Sequence, residues 1–380
     1  MTRNQLQHLF NEHREASLKR RYLPLSLIEP LIKKLNGDVE IQVLGKSVQK
    51  RPIYSLKIGH GPKRVLMWSQ MHGNESTTTK VMFDLLNCVG KNSDANHLLE
   101  DLTLMIIPML NPDGAEVYTR LNANQIDLNR DAQQLTQPES RALRQAFDVF
   151  EPDFCFNLHG QRTIFSAGDF PKSATLSFLS PAQDIERSVT TTRKKAMEVI
   201  AVINDMLQDF IPNQVGIYDD SFNINCVGDM FQSLGVPTIL FEAGHFWQDY
   251  HRNETRKFLF YSILVALDYI SKNKVGGELS EAYFKIPNNK KCFLDLIVRN
   301  ADQKGNDIGI MYNETLVNHE LLFIPKIDEI GDLGGKFGHR EIDAKGTSVS
   351  FGLDRASKVG DEIDFVEIGT KKYSLKIENS

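Results

Sequence analysis

Residues 20–274 alternate between two hydrophobic patterns. Short, nearly continuous apolar runs occur at KRVLMWSQ, LTLMIIPML, PDFCFNLHG and VPTILFEAG. Between them lie longer segments with apolar positions at helical spacing, such as STTTKVMFDLLNCVG, QPESRALRQAFDVF and RSVTTTRKKAMEVIAVINDMLQDF. Apolar strands that alternate with amphipathic helices are typical of a parallel sheet covered on both faces. The pattern therefore predicts an α/β fold with a mixed, mainly parallel sheet flanked by helices.

The pattern changes at VGGEL, where two adjacent glycines break the last helical segment. Beyond it come short β-type runs divided by Gly, Asn and Asp: KCFLDLIVRN, DIGIMYNETL, HELLFIPKI, DEIDFVEIG and KKYSLKIEN. Such runs predict a small antiparallel β domain. We therefore expect a large α/β domain over residues 1–275 and a small β-rich domain over residues 276–380. The sequence of the small domain does not indicate its role.

Composition and charge narrow the class of protein. The 380 residues carry a formal net charge of −5 without a clustered basic face, so we expect no nucleic-acid partner. No secretory signal pattern opens the chain, and the apolar stretch 258–270 is too short to span a bilayer. We expect a cytoplasmic protein without a membrane partner, and its oligomeric state stays open. Reduced thiols are expected for the four widely spaced cysteines, Cys88, Cys155, Cys226 and Cys292.

Polar residues of interest follow the predicted strands, where ligand crevices of open α/β sheets lie. His72 and Glu75 come directly after VLMWSQM, and His159 ends CFNLHG in the same way. Taken alone, the His72 and Glu75 pair is better interpreted as a solvated loop histidine beside a glutamate that begins a helix. With His159 added, two histidines and one glutamate leave a fourth position for water, which is typical of a catalytic zinc site.

A catalytic zinc site also needs a base and a group that stabilises an oxyanion. Glu242, at the end of VPTILFEAG, is the candidate base, with a structural salt bridge as the competing interpretation. In the segment PMLNPDGAEVYTRLNANQIDLNRD, Arg120 and Arg130 can each offer a planar fork to a carboxylate or oxyanion, and Asn129 adds an amide donor.

Six motifs occur in a fixed order: HGNE, NPDG with a following Arg, DLNRD, NLHG, GIY and LFEAG. In this order the chain resembles the zinc carboxypeptidases of the M14, or funnelin, family, in particular a bacterial-like cytoplasmic branch, over roughly residues 40–272. The resemblance implies one Zn²⁺ per chain, peptide substrates and a role for each candidate residue. It implies His72, Glu75 and His159 as zinc ligands, Glu242 as general base, Arg120 at the oxyanion, Asn129 and Arg130 at the substrate's terminal carboxylate, and Tyr218 of GIYDDSF closing over bound substrate.

Two alternatives remain open at this point. HGNE and DLNR also occur in the succinylglutamate desuccinylase and aspartoacylase branch, whose members cleave N-acyl amino acids and carry a β-rich C-terminal domain, although NPDG and Tyr218 favour the peptidase. The second alternative is an inactive protein that binds peptide C-termini, against which the intact metal ligands argue.

The sequence indicates less about substrate specificity than about the type of reaction. The resemblance implies that the segment DDSFNINCVGDMFQSLG lines the pocket for the terminal side chain. One of Asp219, Asp220 or Asp229 could select a basic side chain there, although acidic loop residues are usually just solvated. Cys226 could face the same pocket or be a buried inert thiol.

Overall fold

The structure, a computed structural model, describes residues 1–35, 37–90 and 95–377. In these ranges the α-helices α1 to α9 span Arg3–His13, Leu25–Lys34, Thr77–Val89, Leu98–Asp101, Pro112–Glu116, Pro138–Phe150, Thr191–Gln208, Val227–Ser233 and Asn253–Lys272. Two 3-10 helices span Leu128–Arg130 and Ser280–Lys285. The strands β1 to β17 span Val39–Lys46, Pro52–Gly59, Lys63–Ser69, Leu102–Ile107, Phe154–Gly160, Phe165–Ala167, Leu176–Leu179, Val215–Ile217, Thr238–Ala243, Asn289–Lys291, Phe293–Arg299, Asp307–Val317, Glu320–Gly331, Phe337–Asp343, Val349–Ser350, Phe365–Ile368 and Lys371–Ser374.

The central sheet has eight strands in the order β1-β2-β4-β3-β5-β9-β7-β8. The four middle strands, β4, β3, β5 and β9, are parallel to one another, and antiparallel pairs occur towards both edges. The predicted mixed sheet flanked by helices is confirmed. Because β3, β5 and β9 are adjacent and parallel, the residues that follow them meet at one edge of the sheet.

Helices cover both faces of this sheet, as the continuous apolar strands require. Successive side chains of a strand point to opposite faces, and β3 shows this clearly. Val65 and Met67 belong to a core shared with α1, α2, α3, α7 and α9, whereas Leu66 and Trp68 belong to a second core shared with α6 and α8. The strands that carry the candidate site are thus held from two sides.

The C-terminal part contains a four-stranded sheet, in the order β13-β12-β11-β14, and a three-stranded sheet of β15, β16 and β17. The expectation of antiparallel pairing is right for β11, β12 and β13 but wrong for β14, which is parallel to β11. The connection from β13 to β14 explains the difference, because Leu333 packs against Leu294, Ile297 and Met311. This short connection, anchored by Leu333, returns the chain to the start of β11.

The boundary expected near residue 275 stays a prediction. Tyr283 and Ile286 still belong to the first core, and β10 pairs with β6 of the larger part. Within the described ranges, no helix combines the length and the apolarity that crossing a membrane requires.

Candidate active site

A tight turn after β3 brings His72 and Glu75 together. Gln70 secures this turn, because its side-chain amide donates to the carbonyls of Leu23 and Gly73 at 3.0 and 2.8 Å. The backbone N–H of Glu75 donates to the His72 carbonyl at 3.1 Å, just before α3 begins. Both side chains therefore project from one turn at the end of a buried strand.

The structure brings His159, at the end of β5, to the same place. His72 Nδ1 lies 2.9 Å from Glu75 Oε1, and His159 Nδ1 lies 2.9 Å from Glu75 Oε2. The two Nδ1 atoms are 3.1 Å apart. One potential ligand atom from each of the three residues falls within 4.8 Å of the others. We call His72, Glu75 and His159 the metal triad.

The chemistry of the triad fits a zinc ion. His72 Nε2 donates to Asp127 Oδ1 at 3.0 Å, which leaves a lone pair on Nδ1 facing the other two ligands. His159 is buried, and its Nε2 has no hydrogen-bond partner. Although burial raises the pKa of Glu75, the neighbouring His72 and His159 hold it well below its usual range, so the carboxylate is charged. Two imidazole nitrogens and one carboxylate are the ligand set of a catalytic zinc site.

Glu242 stands beside the triad, because β9 pairs with β5 and places Glu242 directly opposite His159. Its Oε2 is buried and has no hydrogen-bond partner among the described residues. Burial, together with the negative charge of Glu75, raises the pKa of Glu242 well above its usual value. No salt bridge to Glu242 occurs in the part of the chain that the structure describes, so the competing structural interpretation lacks a partner.

Arg120 reaches over the triad from the loop after α5. Its Nη1 lies 3.2 Å from His72 Nδ1 and 3.5 Å from Glu75 Oε1, and its Nε donates to Asp127 Oδ2 at 3.0 Å. With 45% of its side chain exposed, the guanidinium faces solvent on one side and the triad on the other. The positively charged guanidinium of Arg120 thus lies beside the negatively charged Glu75 of the triad.

Asn129 and Arg130 lie on the 3-10 helix that follows Asp127. The Asn129 backbone N–H donates to Asp127 Oδ1 at 2.9 Å, and its side-chain oxygen accepts the N–H of Val227 at 2.9 Å. Arg130 Nη1 donates to the Asn129 carbonyl at 2.7 Å. Among residues 1–35, 37–90 and 95–377, no carboxylate forms an ion pair with Arg130, which leaves its guanidinium available to a ligand.

One cavity of about 700 Å³ connects these groups. All eight candidate residues line it: His72, Glu75, Arg120, Asn129, Arg130, His159, Tyr218 and Glu242. Tyr218 follows β8, its backbone N–H donates to the Phe178 carbonyl at 3.1 Å, and its ring meets Phe165 edge-on at 5.3 Å. The volume lies in the range typical of small-ligand sites.

Comparison with known proteins points to one family. The family model described as zinc carboxypeptidase, the M14 peptidases, matches residues 26–208. Over this span, just under half of its length, the chain is similar to the M14 zinc carboxypeptidases. The matched span ends before Tyr218 and Glu242, and it contains the other six candidate residues.

Individual M14 relatives are similar over shorter stretches. The chain is 32% identical over 97 residues to probable carboxypeptidase 2 of Arthroderma benhamiae, which covers 25% of this chain and 18% of that protein. It is 28% identical over 152 residues to carboxypeptidase SOL1 of Arabidopsis thaliana, covering 35% of this chain and 30% of that one. The chain thus spans less than a third of the length of these curated relatives.

A metallo-carboxypeptidase from Burkholderia cenocepacia shares the fold. The two structures superpose with a TM-score of 0.51 over 64% of this chain and 67% of the other, at 20% sequence identity. At this identity the likeness shows the fold alone.

The three acidic residues of the expected specificity segment differ in their surroundings. Asp220 forms ion pairs with Arg193 at 2.8 Å and with Arg187 at 3.4 Å, and these two arginines compensate its negative charge. Asp219 bonds to Ser221. Asp229 is buried and lines the cavity, and burial raises its pKa to about 6. Cys226 also lines the cavity.

Sequence reasoning missed residues that lie beside the candidate site. Asp127 stands two positions before Asn129 in the quoted segment, and only its contact with His72 reveals its part. Asn157, two positions before His159, is buried, lines the cavity and has an unpartnered side-chain oxygen. Residues from β11, β12 and β13 also line the cavity, and their sequence carried no signal for this position.

Proposed function

We propose that the protein is a zinc metallocarboxypeptidase that hydrolyses the C-terminal peptide bond of a peptide. The observation that carries the proposal is the convergence of the metal triad beside the unpartnered carboxylate oxygen of Glu242. Similarity to the M14 zinc carboxypeptidases over residues 26–208 supports the same reaction class.

The metal triad would hold one zinc ion per chain through His72 Nδ1, His159 Nδ1 and an oxygen of Glu75. A zinc ion bound there supplies a Lewis acid that polarises the scissile carbonyl and lowers the pKa of a water molecule towards neutrality. Asp127 keeps the His72 ring oriented by accepting its Nε2 proton.

Glu242 acts as the general base. Its carboxylate takes a proton from the attacking water and later delivers it to the nitrogen of the leaving amine as the C–N bond breaks. The buried, unpartnered Oε2 supports this role, because a carboxylate without a salt bridge is costly to bury unless the reaction uses it. Arg120 stabilises the negative charge that develops on the carbonyl oxygen.

Arg130 and Asn129 hold the terminal carboxylate of the substrate, which makes the enzyme an exopeptidase. Arg130 suits this role because its planar fork forms two parallel hydrogen bonds with a carboxylate and no carboxylate of the described residues occupies it. Tyr218 covers the bound residue from the neighbouring edge of the cavity. C-terminally amidated peptides should therefore be poor substrates.

We also propose that residues 1–275 form the catalytic domain, that residues 276–380 form a second domain, and that the protein is cytoplasmic. The free thiols of Cys155, Cys226 and Cys292 support a reducing compartment.

A Glu242→Gln variant tests the function. With a panel of free-acid peptides, we expect the parent to release C-terminal residues detectable by mass spectrometry and the variant to lose roughly 10²–10⁴-fold in kcat. Removal of the metal by a chelator should abolish turnover, and added Zn²⁺ should restore it. Glu139→Gln is a control, because Glu139 is also buried with a raised pKa but does not line the cavity.

Two results would contradict the proposal. If no peptide loses its C-terminal residue while N-acyl amino acids release their acyl group, the protein is a deacylase. If parent and Glu242→Gln both bind peptides without turnover, the protein is a binding protein.

A further inference from the structure

The C-terminal sheets form one end of the cavity that holds the metal triad. Six residues of β11, β12 and β13 line it: Asp295, Met311, Tyr312, Asn313, Glu314 and Phe323. The hairpin formed by β12 and β13 is long, with paired residues from Asp307 and Gly331 to Val317 and Glu320 and one register shift between Gly309 and Ile310. A substrate in the cavity therefore meets the second domain as well as the catalytic sheet.

Glu314 fixes this hairpin to the catalytic part. Arg21 Nη1 and Nη2 donate to its two carboxylate oxygens at 2.6 and 3.0 Å, and the Tyr118 hydroxyl donates to Oε2 at 2.6 Å. Arg21 and Glu314 are largely shielded, with 11% and 27% of their side chains exposed. A two-pronged ion pair of this kind sets both distance and orientation, so the hairpin is held as a wall.

Aromatic side chains from both parts make up the surface of the wall. The Tyr250 ring meets Tyr312 at 5.1 Å and Phe323 at 5.7 Å, both edge-on. The Tyr250 hydroxyl donates to Asp295 Oδ1 at 3.0 Å, and Asp295 Oδ2 accepts the Tyr312 N–H at 2.7 Å. The carboxylates of Asp295 and Glu314 are thus paired within the protein, and Met311, Tyr312 and Phe323 are the apolar side chains that the wall offers to a ligand.

The wall and the proposed carboxylate clamp are connected to the metal triad through different hydrogen bonds. Asn129 is linked to the triad through Asp127, whose Oδ1 also accepts from His72. Arg21 is linked through the hydroxyl of Ser76, the residue after Glu75, which donates to the Arg21 carbonyl. Clamp, triad and hairpin wall thus line one cavity, and each of the two is attached to the triad by its own contact.

We propose that the β12–β13 hairpin limits the length of the peptide on the amino side of the scissile bond, so that the enzyme acts on short peptides with an apolar residue at that position. This inference rests on the proposed function for the direction of the substrate. With its carboxyl end at Arg130, an extended chain advances roughly 3.3–3.6 Å per residue and meets the wall after a few residues. A cavity of about 700 Å³ is of the size that encloses a small ligand.

A series of N-acetylated peptides with a common C-terminal dipeptide, from dipeptide to decapeptide, tests the proposal. We expect kcat/KM to fall by roughly tenfold or more between the tripeptide and the hexapeptide. Binding of the same series to Glu242→Gln, measured by calorimetry, should show the same dependence of Kd on length without turnover. If no peptide is cleaved, the proposed function fails, and the binding series alone then decides the role of the wall.

Variants of the hairpin connect the length limit to the wall. Asn313 is exposed and lines the cavity, so Asn313→Trp should fold and lower the tripeptide-to-dipeptide ratio of kcat/KM or affinity. Glu314→Gln removes the charge that holds the hairpin and should raise the hexapeptide-to-dipeptide ratio by roughly three- to tenfold. Val317→Trp, exposed on the same strand but outside the cavity lining, is the matched control.

Three results would overturn the proposal. The first is a decapeptide that binds as tightly as the dipeptide. The second is a length dependence that Asn313→Trp and Glu314→Gln leave unchanged. The third is an absence of binding by any peptide of the series.

Discussion

His72 presents Nδ1 to Glu75 and His159, and the reason lies on the other side of its ring. Asp127 Oδ1 accepts the Nε2 proton at 3.0 Å, and Asp127 Oδ2 accepts from Arg120 Nε at 3.0 Å. Burial raises the pKa of Asp127, but His72 and Arg120 outweigh it and hold the pKa well below its usual range. One charged carboxylate therefore orients both a candidate metal ligand, His72, and the arginine above it.

Replacing Asp127 should weaken the metal site without removing a ligand. In Asp127→Ala, His72 loses the acceptor that fixes its tautomer and ring orientation, and we expect a loss of roughly 10–100-fold in zinc affinity. Competition with a chromophoric chelator measures this affinity directly. Asp148→Asn is the control, because Asp148 is exposed on α6 and pairs with Arg144. Equal zinc affinity in parent and Asp127→Ala would contradict this role for Asp127.

Candidate site residues at the ends of strands could be predicted from the sequence, whereas the residue that orients one of them could not. His72, His159 and Glu242 each follow a continuous apolar run, and parallel strands bring such positions to one edge of the sheet. Asp127 lies in a loop, 55 residues from His72, and no periodicity connects the two. A hydrogen bond of this kind depends on loop conformation, which hydrophobic patterning does not specify.

Close packing between two elements positions the turn that carries His72 and Glu75. Gly73 lies against α5, formed by the NPDG segment, and a Cβ at Gly73 would be only 2.0 Å from the carbonyl carbon of Gly114. The Asn111 side chain connects the same elements, because its amide donates to the Met71 carbonyl at 3.2 Å and its oxygen accepts the Gly114 N–H at 2.8 Å. Two motifs noted separately in the sequence thus form one packed unit.

A methyl group at Gly73 should separate these elements. Gly73→Ala forces a backbone shift, and we expect it to lower the free energy of unfolding by about 1–3 kcal/mol, the usual cost of overpacking, and to weaken zinc binding. Urea unfolding and chelator competition measure the two effects. Gly37→Ala is the control, because a Cβ at Gly37 meets no atom within 4 Å. Unchanged stability together with unchanged zinc affinity in Gly73→Ala would show that the turn tolerates the shift.

At the scale of elements, the alternation of strands and helices was predictable because it follows from burial of two sheet faces. The placement of the C-terminal hairpin was not. Its Glu314 meets Arg21 and Tyr118, which are 293 and 196 residues away in sequence. Contacts at such separation leave no periodic signal, so the sequence showed β strands there without showing that they line the cavity.

The two parts of the molecule also meet through a buried histidine pair. His245 follows β9, and its ring centroid lies 4.2 Å from that of His339 on β14 and 4.7 Å from that of Tyr250. Both ring nitrogens of His245 are buried and find no hydrogen-bond partner in residues 1–35, 37–90 and 95–377. His339, in contrast, bonds to the Thr163 carbonyl at 2.8 Å and stacks on Phe293 at 4.5 Å. The junction is therefore formed with neutral imidazoles.

The neutral pair makes the junction sensitive to acid. Burial lowers the pKa of His339 to about 4 and that of His245 well below its usual value, and the nearby charge of Arg252 acts in the same direction. Because both pKa values are lower in the folded than in the unfolded state, the unfolded chain binds protons first as the pH falls. The stability contribution is complete above pH ~6.5 and is lost towards pH ~4, by about 3 kcal/mol for His339 alone.

Thermal unfolding measured from pH 7.5 to 4.5 should show this loss of stability as a falling Tm. In His245→Phe the fall in Tm should be smaller, because a ring that cannot be protonated replaces one whose protonation disrupts the junction. His60→Gln is the control, since the His60 side chain is exposed and its replacement should leave the profile unchanged. A profile for His245→Phe as steep as that of the parent would assign the acid sensitivity to other groups.

Since Arg252 and Tyr250 line both this junction and the cavity, acid should loosen the hairpin wall before it unfolds the central sheet.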